Sequence, residues 1–159
     1  MHRFLNVALI AFVSACPSSL RAQPPPAAVA PIIPACSLVP KEEVKKHLPW
    51  IAVLDSFPPE EEPIGDYGSS CNYPSVFIQV LPFSQSTIDS AQKRGGLETI
   101  SGVGDAAYLY NNADRYAELY VKAGKHLLTL QANMDGNIEA VKPGVLNLAK
   151  ALVEKLPDR

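Results

Sequence analysis

Three short segments with strand-like composition follow one another in the last third of the 159-residue chain. They cover residues 105–110, 115–122 and 126–132, with loops of three or four residues between them. In the middle segment, Ala117, Leu119 and Val121 alternate with polar or aromatic residues, which is the period of a strand buried on one face. Parallel strands need much longer connections. The sequence therefore predicts an antiparallel meander.

Other segments complete the predicted fold. Residues 71–73 and 76–81 are rich in β-branched and aromatic side chains, as strands are. Residues 40–48 and 85–94 have helix-terminus signals, and from Ile138 to Leu156 apolar residues recur every three or four positions. We expect an α+β fold, with a largely antiparallel sheet of about five strands and helices packed on it, including a C-terminal amphipathic helix.

Prolines are expected to interrupt regular structure in three places. Residues 55–70 carry three prolines beside three consecutive glutamates, which predicts an irregular, solvated loop. Pro143 either kinks the C-terminal helix or marks its true start. Residues 23–35 hold five prolines in thirteen positions, which is typical of a linker.

The N-terminal segment has the pattern of an export signal. Arg3 precedes ten mostly apolar residues ending at Val13, too few for the roughly 20 that a membrane-spanning helix needs. Two processing sites compete. The residues up to Cys16 resemble a bacterial lipobox, whose cysteine is acylated, whereas cleavage after Ala22 would release a secreted protein. We predict a signal peptide over 1–22 (1–15 in a lipoprotein), a linker over 23–35 and a single domain over 36–156.

The cysteines agree with export. Once Cys16 is assigned to a lipid or to the removed signal, Cys36 and Cys71 remain as a pair. An oxidising compartment favours a disulfide between them, closing a loop of about 35 residues. Two free thiols are the alternative. Both processing sites place the protein outside the cytoplasm, in the periplasm or cell envelope, lipid-anchored or soluble.

Charge and motif content exclude several function classes. The first 22 residues hold two arginines and no acid, so the remainder carries 12 basic and 16 acidic side chains, unlike a nucleic-acid binder. After the signal only two histidines remain, His47 and His126, and we find no zinc or calcium motif. We predict neither a metal nor a cofactor. Gly102 to Ala107 has the letters of a dinucleotide fingerprint, but a strand-like segment follows it, which favours a glycine-rich turn.

Four tyrosines form the candidate site. Tyr108, Tyr110, Tyr116 and Tyr120 have the same parity on two neighbouring predicted strands, so a suitable register would gather several on one face. Such a face is a candidate recognition surface. The same pattern also fits a surface beneath a covering helix, or ordinary cross-strand pairing.

Four features occur together in this chain. They are Ala35-Cys36-Ser37-Leu38-Val39-Pro40-Lys41-Glu42-Glu43-Val44, Cys71-Asn72-Tyr73, Gly102-Val103-Gly104-Asp105-Ala106-Ala107-Tyr108 and the C-terminal amphipathic helix. As a set they resemble small bacterial secreted and lipoprotein domains of unknown function, which open with Cys-Ser-Leu-Leu and a Glu-Glu-Val helix and carry a Gly-Leu-Gly-Asp-Ala-Ala turn. The resemblance covers Cys36 to about Leu156, with Pro40 where a hydroxyl cap is common. It implies paired cysteines and a cell-envelope setting, and it supplies no catalytic residue.

The sequence therefore predicts an exported, non-catalytic binding or accessory domain. Its partner would be an envelope protein or a small ligand, and it would contact a membrane only through a lipid on Cys16. No nucleophile motif is present. A serine triad is defined by geometry rather than by residue order, so the alternative is a small envelope hydrolase with a dispersed active site.

Overall fold

The structure is a computed structural model, and it describes residues 31–51, 55–112, 115–133 and 137–157. The predicted signal peptide, Cys16 and residues 23–30 of the predicted linker lie outside the described residues. Residues 31–34 have no regular secondary structure, and the first helix begins at Ala35.

Seven strands form one sheet, in which every neighbouring pair is antiparallel. They are β1 (Glu60–Ile64), β2 (Gly68–Tyr73), β3 (Val76–Pro82), β4 (Leu97–Ile100), β5 (Ala106–Asn112), β6 (Tyr116–Ala123) and β7 (His126–Asn133). The order across the sheet is β1-β2-β3-β7-β6-β5-β4. One meander, β1 to β3, therefore lies beside a second, β4 to β7, and the two join where β3 pairs with β7.

Four helices accompany the sheet in the part of the chain that the structure describes, which confirms the α+β class and the C-terminal helix. They are α1 (Ala35–Leu38), α2 (Lys41–His47), α3 (Gln85–Lys93) and α4 (Ile138–Lys155). The single turn α1 is not among the predicted helices. None of the described helices is both long and apolar enough to cross a membrane.

The predicted number of strands is too low, because the sheet has seven and not about five. Both missed strands, β1 and β4, lie at the edges. β1 falls inside the segment predicted to be an irregular loop and contains Pro63, which an edge strand can accommodate because it pairs on one side only. β4 exposes Glu98 and Thr99. Charged residues and proline keep an edge strand from pairing with other chains, and they also weaken its strand-like sequence pattern.

One face of the sheet holds the main hydrophobic core. Helices α1, α2 and α4 cover this face, and the central strands contribute alternate apolar side chains to it. The largest completely buried members are Leu48, Ile78, Leu119, Leu128, Leu130, Leu148 and Leu152. Each such side chain favours folding by roughly 1.5–3 kcal/mol relative to an exposed position.

Helix α4 runs through Pro143, so that residue does not mark its start. The helix begins five residues earlier, where the side chain of Asn137 accepts a hydrogen bond from the Glu139 N–H at 2.9 Å. Gly144, the residue after Pro143, lets α4 lie close to the end of α2. A Cβ atom there would be 2.3 Å from the carbonyl oxygen of His47, so this contact requires glycine.

A disulfide between Cys36 and Cys71 ties α1 to β2, as predicted. Hydrogen bonds support the same junction. The Glu61 carboxylate accepts from the backbone N–H groups of Ala35 and Cys36, each at 2.7 Å. Ser69 Oγ accepts from Ala35 N and donates to the Ile33 carbonyl oxygen, also at 2.7 Å. The first described residues are therefore held to β1 and β2 by both covalent and polar contacts.

Tyr73 should make stability depend on alkaline pH. Its buried hydroxyl donates to the Val39 carbonyl oxygen, and burial raises the pKa of Tyr73 to about 12. Because the folded-state pKa lies above the unfolded value of about 10, this contribution is complete below pH 10 and is lost as the pH rises through about 12. We expect wild type to be more stable than Tyr73→Phe by about 1 kcal/mol at pH 8, and the difference to shrink by pH 11. Urea unfolding at both pH values tests this, and a constant difference would contradict it.

Candidate functional site

The glycine-rich motif is a turn between two strands. Gly102 and Gly104 have φ angles of 77° and 58°, a region that favours glycine. Asp105 N donates to the Lys122 carbonyl oxygen at 2.8 Å, and the Asp105 carboxylate accepts from Gly124 N at 2.7 Å. The strand β5 follows, whereas a dinucleotide site needs a helix N-terminus there. The motif therefore fastens the start of β5 to the hairpin between β6 and β7.

Both histidines have structural partners. His47 Nε2 lies 3.0 Å from Glu43 Oε1, one helical turn away on α2. His126 Nε2 lies 3.1 Å from the carbonyl oxygen of Pro157. Among the described residues, no group of three or more His, Cys, Asp or Glu side chains is arranged to hold a metal ion. The hydrogen bonds of these two imidazoles among the described residues are to a carboxylate and to a backbone carbonyl oxygen.

The four predicted tyrosines lie on one face of the sheet, opposite the main core. Tyr108 pairs directly with Tyr120, and Tyr116 pairs with Asn112, two residues along from Tyr110. The rings of Tyr110 and Tyr116 are tilted to each other, with centroids 6.4 Å apart. The β5–β6 register therefore gathers all four side chains.

Helix α3 covers part of this tyrosine face. Its Ile88 and Ala91 pack against Tyr120 and Leu127, and Tyr120 is only 4% exposed. Tyr108 and Tyr110 also pack against this cluster and are half-buried. Tyr120 therefore lies beneath a covering helix, which was the second interpretation of the tyrosine pattern. Tyr116 lies outside the cluster.

Arg94, directly after α3, links the helix to the tyrosines. Its guanidinium carbon lies 5.1 Å from the ring centroid of Tyr110 and 5.9 Å from that of Tyr120. Its Nη2 atom donates to the Tyr120 hydroxyl and lies 3.3 Å from a carboxylate oxygen of Glu118. Burial and then the nearby Glu118 carboxylate raise the pKa of Tyr120, so its phenol is neutral at physiological pH. The cation is thus stacked and paired.

The rest of this sheet face belongs to neither hydrophobic cluster. Five of its half-buried residues lie on three neighbouring strands: Phe77, Gln79, Tyr116, Glu118 and Gln131. We call these five residues the open half of the sheet face. The side-chain Oε1 of Gln79 accepts a hydrogen bond from Thr129 Oγ1 at 3.0 Å, which fixes the orientation of the Gln79 amide. Aromatic and amide side chains therefore lie together on a surface without a helix above it among the described residues.

A cavity of about 370 Å³ lies between α3 and this face. We call it the α3 groove, and its lining is Ser86, Thr87, Ser90, Ala91, Arg94 and Tyr120. The three hydroxyl groups come from one flank of the helix. In the sheet, Tyr120 pairs with Thr129, and Thr129 pairs with Gln79. The groove therefore adjoins the open half, and Arg94 in its lining contacts Glu118 of the open half.

Two other cavities among the described residues differ in chemistry. One, of about 180 Å³, is mainly apolar and is lined by side chains near Tyr67 and His126. The other, of about 390 Å³, lies between the glycine turn and α4, beside Lys150 and Glu154. Neither includes any of the predicted tyrosines.

No family model matches the chain, and the searches of curated proteins and of solved structures find no similar protein. The resemblance to small bacterial secreted and lipoprotein domains therefore stays a prediction.

Sequence reasoning found the tyrosines but missed their polar neighbours. Arg94 follows a weakly amphipathic segment, and nothing in its local sequence points to Tyr120, 26 positions later. Gln79 on β3 and Gln131 on β7 lie on the same face of the sheet as the tyrosines. A search for polar residues at alternate positions of these two strands would have detected them. The sequence therefore contained a signal for the glutamines on the strands and none for the arginine that follows the helix.

Proposed function

We propose that this protein is an exported, non-catalytic binding domain of the bacterial cell envelope, and that it binds through the open half of the sheet face. The observation that carries the proposal is the incomplete cover on that face. Helix α3 buries Tyr120, but Phe77 and Tyr116 remain outside both hydrophobic clusters beside oriented amide groups. Aromatic side chains are enriched at recognition sites.

The disulfide supports the proposed location. Disulfides such as Cys36–Cys71 persist in oxidising compartments and are rare in the cytosol. The basic and apolar start of the sequence and the proline-rich segment after it agree with export. The resemblance to small secreted and lipoprotein domains agrees as well. A lipid on Cys16 would keep the domain near a membrane, whereas cleavage after Ala22 would release it.

The hydrolase alternative gains no support from the described residues. The imidazoles of His47 and His126 are paired with a carboxylate and a backbone carbonyl, not with a serine. The serines and threonine of the α3 groove lie beside Arg94 and Tyr120. Binding is the function that this geometry favours.

A photo-crosslinking experiment in the native host tests the proposal. Benzophenone-alanine replaces Phe77 in one variant and Phe57 in the control; Phe57 is 56% exposed in the segment before β1. We expect irradiation to attach an envelope component to the Phe77 variant and not to the control. Identical adducts from both positions, or none from position 77, would contradict the proposal.

Intact masses from the same samples also decide how the N-terminus is processed. A diacylglyceryl mass on Cys16 in the membrane fraction would identify a lipoprotein. A soluble polypeptide beginning at Gln23 would identify a secreted protein. A chain retaining Met1 and found only in the cytoplasm would contradict export.

A further inference from the structure

We infer that the α3 groove and the open half together bind a neutral oligosaccharide. This inference rests on the proposed binding function and adds the chemical class of the ligand. The ligand would lie with its ring faces against aromatic side chains of the open half, and its hydroxyl groups would bond to the amides and to the hydroxyls of α3.

Charge within the site favours a neutral ligand. Arg94 is the cation that lines the α3 groove, and it is already paired with Glu118 and stacked on Tyr110 and Tyr120. An anionic ligand would meet the Glu118 carboxylate, and a cationic one would meet the Arg94 guanidinium. A charged ligand of either sign would have to compete with the ion pair between Arg94 and Glu118 and with the hydrogen bond from Arg94 to Tyr120. A ligand without charge leaves this arrangement intact.

The polar groups match a ligand with many hydroxyls. Each hydroxyl of Ser86, Thr87 and Ser90 is both a donor and an acceptor, as is a sugar hydroxyl. The amides of Gln79 and Gln131 contact Thr129 and Asn133 through one atom each, and because an amide oxygen accepts two hydrogen bonds and an NH₂ group donates two, each amide keeps capacity for a sugar hydroxyl. Because Thr129 already fixes the amide of Gln79, less side-chain freedom is lost on binding.

The aromatic side chains supply the remaining element of sugar recognition. The C–H bonds on one face of a pyranose ring are weakly positive and pack well on the negative face of an aromatic ring. Phe77 and Tyr116 are half-buried on the open half and are not covered by α3. A purely apolar ligand would instead leave the surrounding amides and hydroxyls without partners.

The dimensions allow more than one sugar ring. The α3 groove alone has a volume of about 370 Å³, within the range of roughly 300–1,000 Å³ typical of ligand sites. Beside it, Phe77, Gln131 and Glu118 form one row across β3, β7 and β6. At a strand spacing of about 4.8 Å, the ends of that row lie about 10 Å apart. An oligosaccharide can therefore contact the groove and the row at once.

Titration of the exported and processed protein, after purification, tests the inference. The probes are cellotetraose, maltotetraose and tetra-N-acetylchitotetraose, with tetragalacturonate as the acidic comparison, and binding is read from backbone amide NMR shifts. We expect at least one neutral tetrasaccharide to bind with a Kd of about 1 mM or tighter and to shift resonances on β3, β6 and β7. Failure of all three neutral probes, or tighter binding of tetragalacturonate, would overturn the inference.

Matched variants identify the surface. Tyr116→Ala should weaken binding of the neutral probe about tenfold, the effect expected for an aromatic anchor. Tyr67→Ala removes a tyrosine that lies outside the proposed surface and is 54% exposed, so it should leave the affinity for the neutral probe unchanged. Equal affinities of Tyr116→Ala and wild type would overturn the inference, and urea unfolding shows whether each variant is folded. A protein adduct at position 77 without sugar binding would contradict the ligand class and leave the proposed function standing.

Discussion

Replacing both Cys36 and Cys71 by alanine is expected to lower the free energy of unfolding by about 4 kcal/mol. The bridge closes a loop of 35 residues, which limits the conformations of the unfolded chain. Domains of this size are stable by only about 5–15 kcal/mol, so the loss would be a large part of the total. Urea unfolding of the variant and of wild type at neutral pH measures it.

Reduction of the wild-type protein provides the control. Cys71 is completely buried, so its replacement also removes packed sulfur from the core. Reduced wild type keeps both sulfur atoms and loses only the bond, and we expect it to account for most of the effect. Oxidised and reduced wild type unfolding at the same urea concentration would contradict this prediction.

The two glycines of the turn should respond very differently to alanine. Both have positive φ, so each substitution pays roughly 1–2 kcal/mol of backbone strain. At Gly102 a Cβ atom would have no neighbour within 4 Å. At Gly104 it would lie 2.4 Å from the Lys122 carbonyl oxygen and 2.6 Å from Val121 Cγ1. We expect Gly104→Ala to cost about 3 kcal/mol or more, because the turn before β5 must move away from β6.

Gly102→Ala is therefore the matched control for Gly104→Ala. Urea unfolding of both variants separates two effects on the free energy of unfolding. Both substitutions introduce backbone strain, and only Gly104→Ala also disturbs the close contact between the turn and β6. If the two substitutions destabilise the protein equally, the contact between Gly104 and β6 is not what the motif provides. A dinucleotide site, by contrast, would make binding rather than stability the quantity that changes.

The interior of the sheet was predictable because its strands are buried on one face. The middle strand of the predicted meander alternates clearly, and its apolar residues Ala117, Leu119 and Val121 are all buried in the main core. The edge strands β1 and β4 lack this signal, because exposure permits Glu98 and the proline in β1. Alternation of apolar and polar residues indicates that one face of a strand is buried. Edge strands are less buried, so their sequences show this alternation less clearly.

The tyrosine face was predictable only in part. Strand parity and hairpin register are local, so they place Tyr108 opposite Tyr120. The position of α3 depends instead on strand order. Because β3 pairs with β7 and β4 lies at the far edge, the connection between β3 and β4 has to cross β7, β6 and β5. That crossing brings Arg94 to Tyr120, and no local pattern contains it.

The disulfide also determines how the domain responds to mechanical force. If the chain before Cys36 is anchored and pulled, the tension reaches the fold at Cys36 and passes through the sulfur bridge into β2. The helix α2 and the edge strand β1 lie inside the bridged loop, so they are spared most of the load. Unfolding from this end would instead require β2, which contains Cys71, to separate from β3.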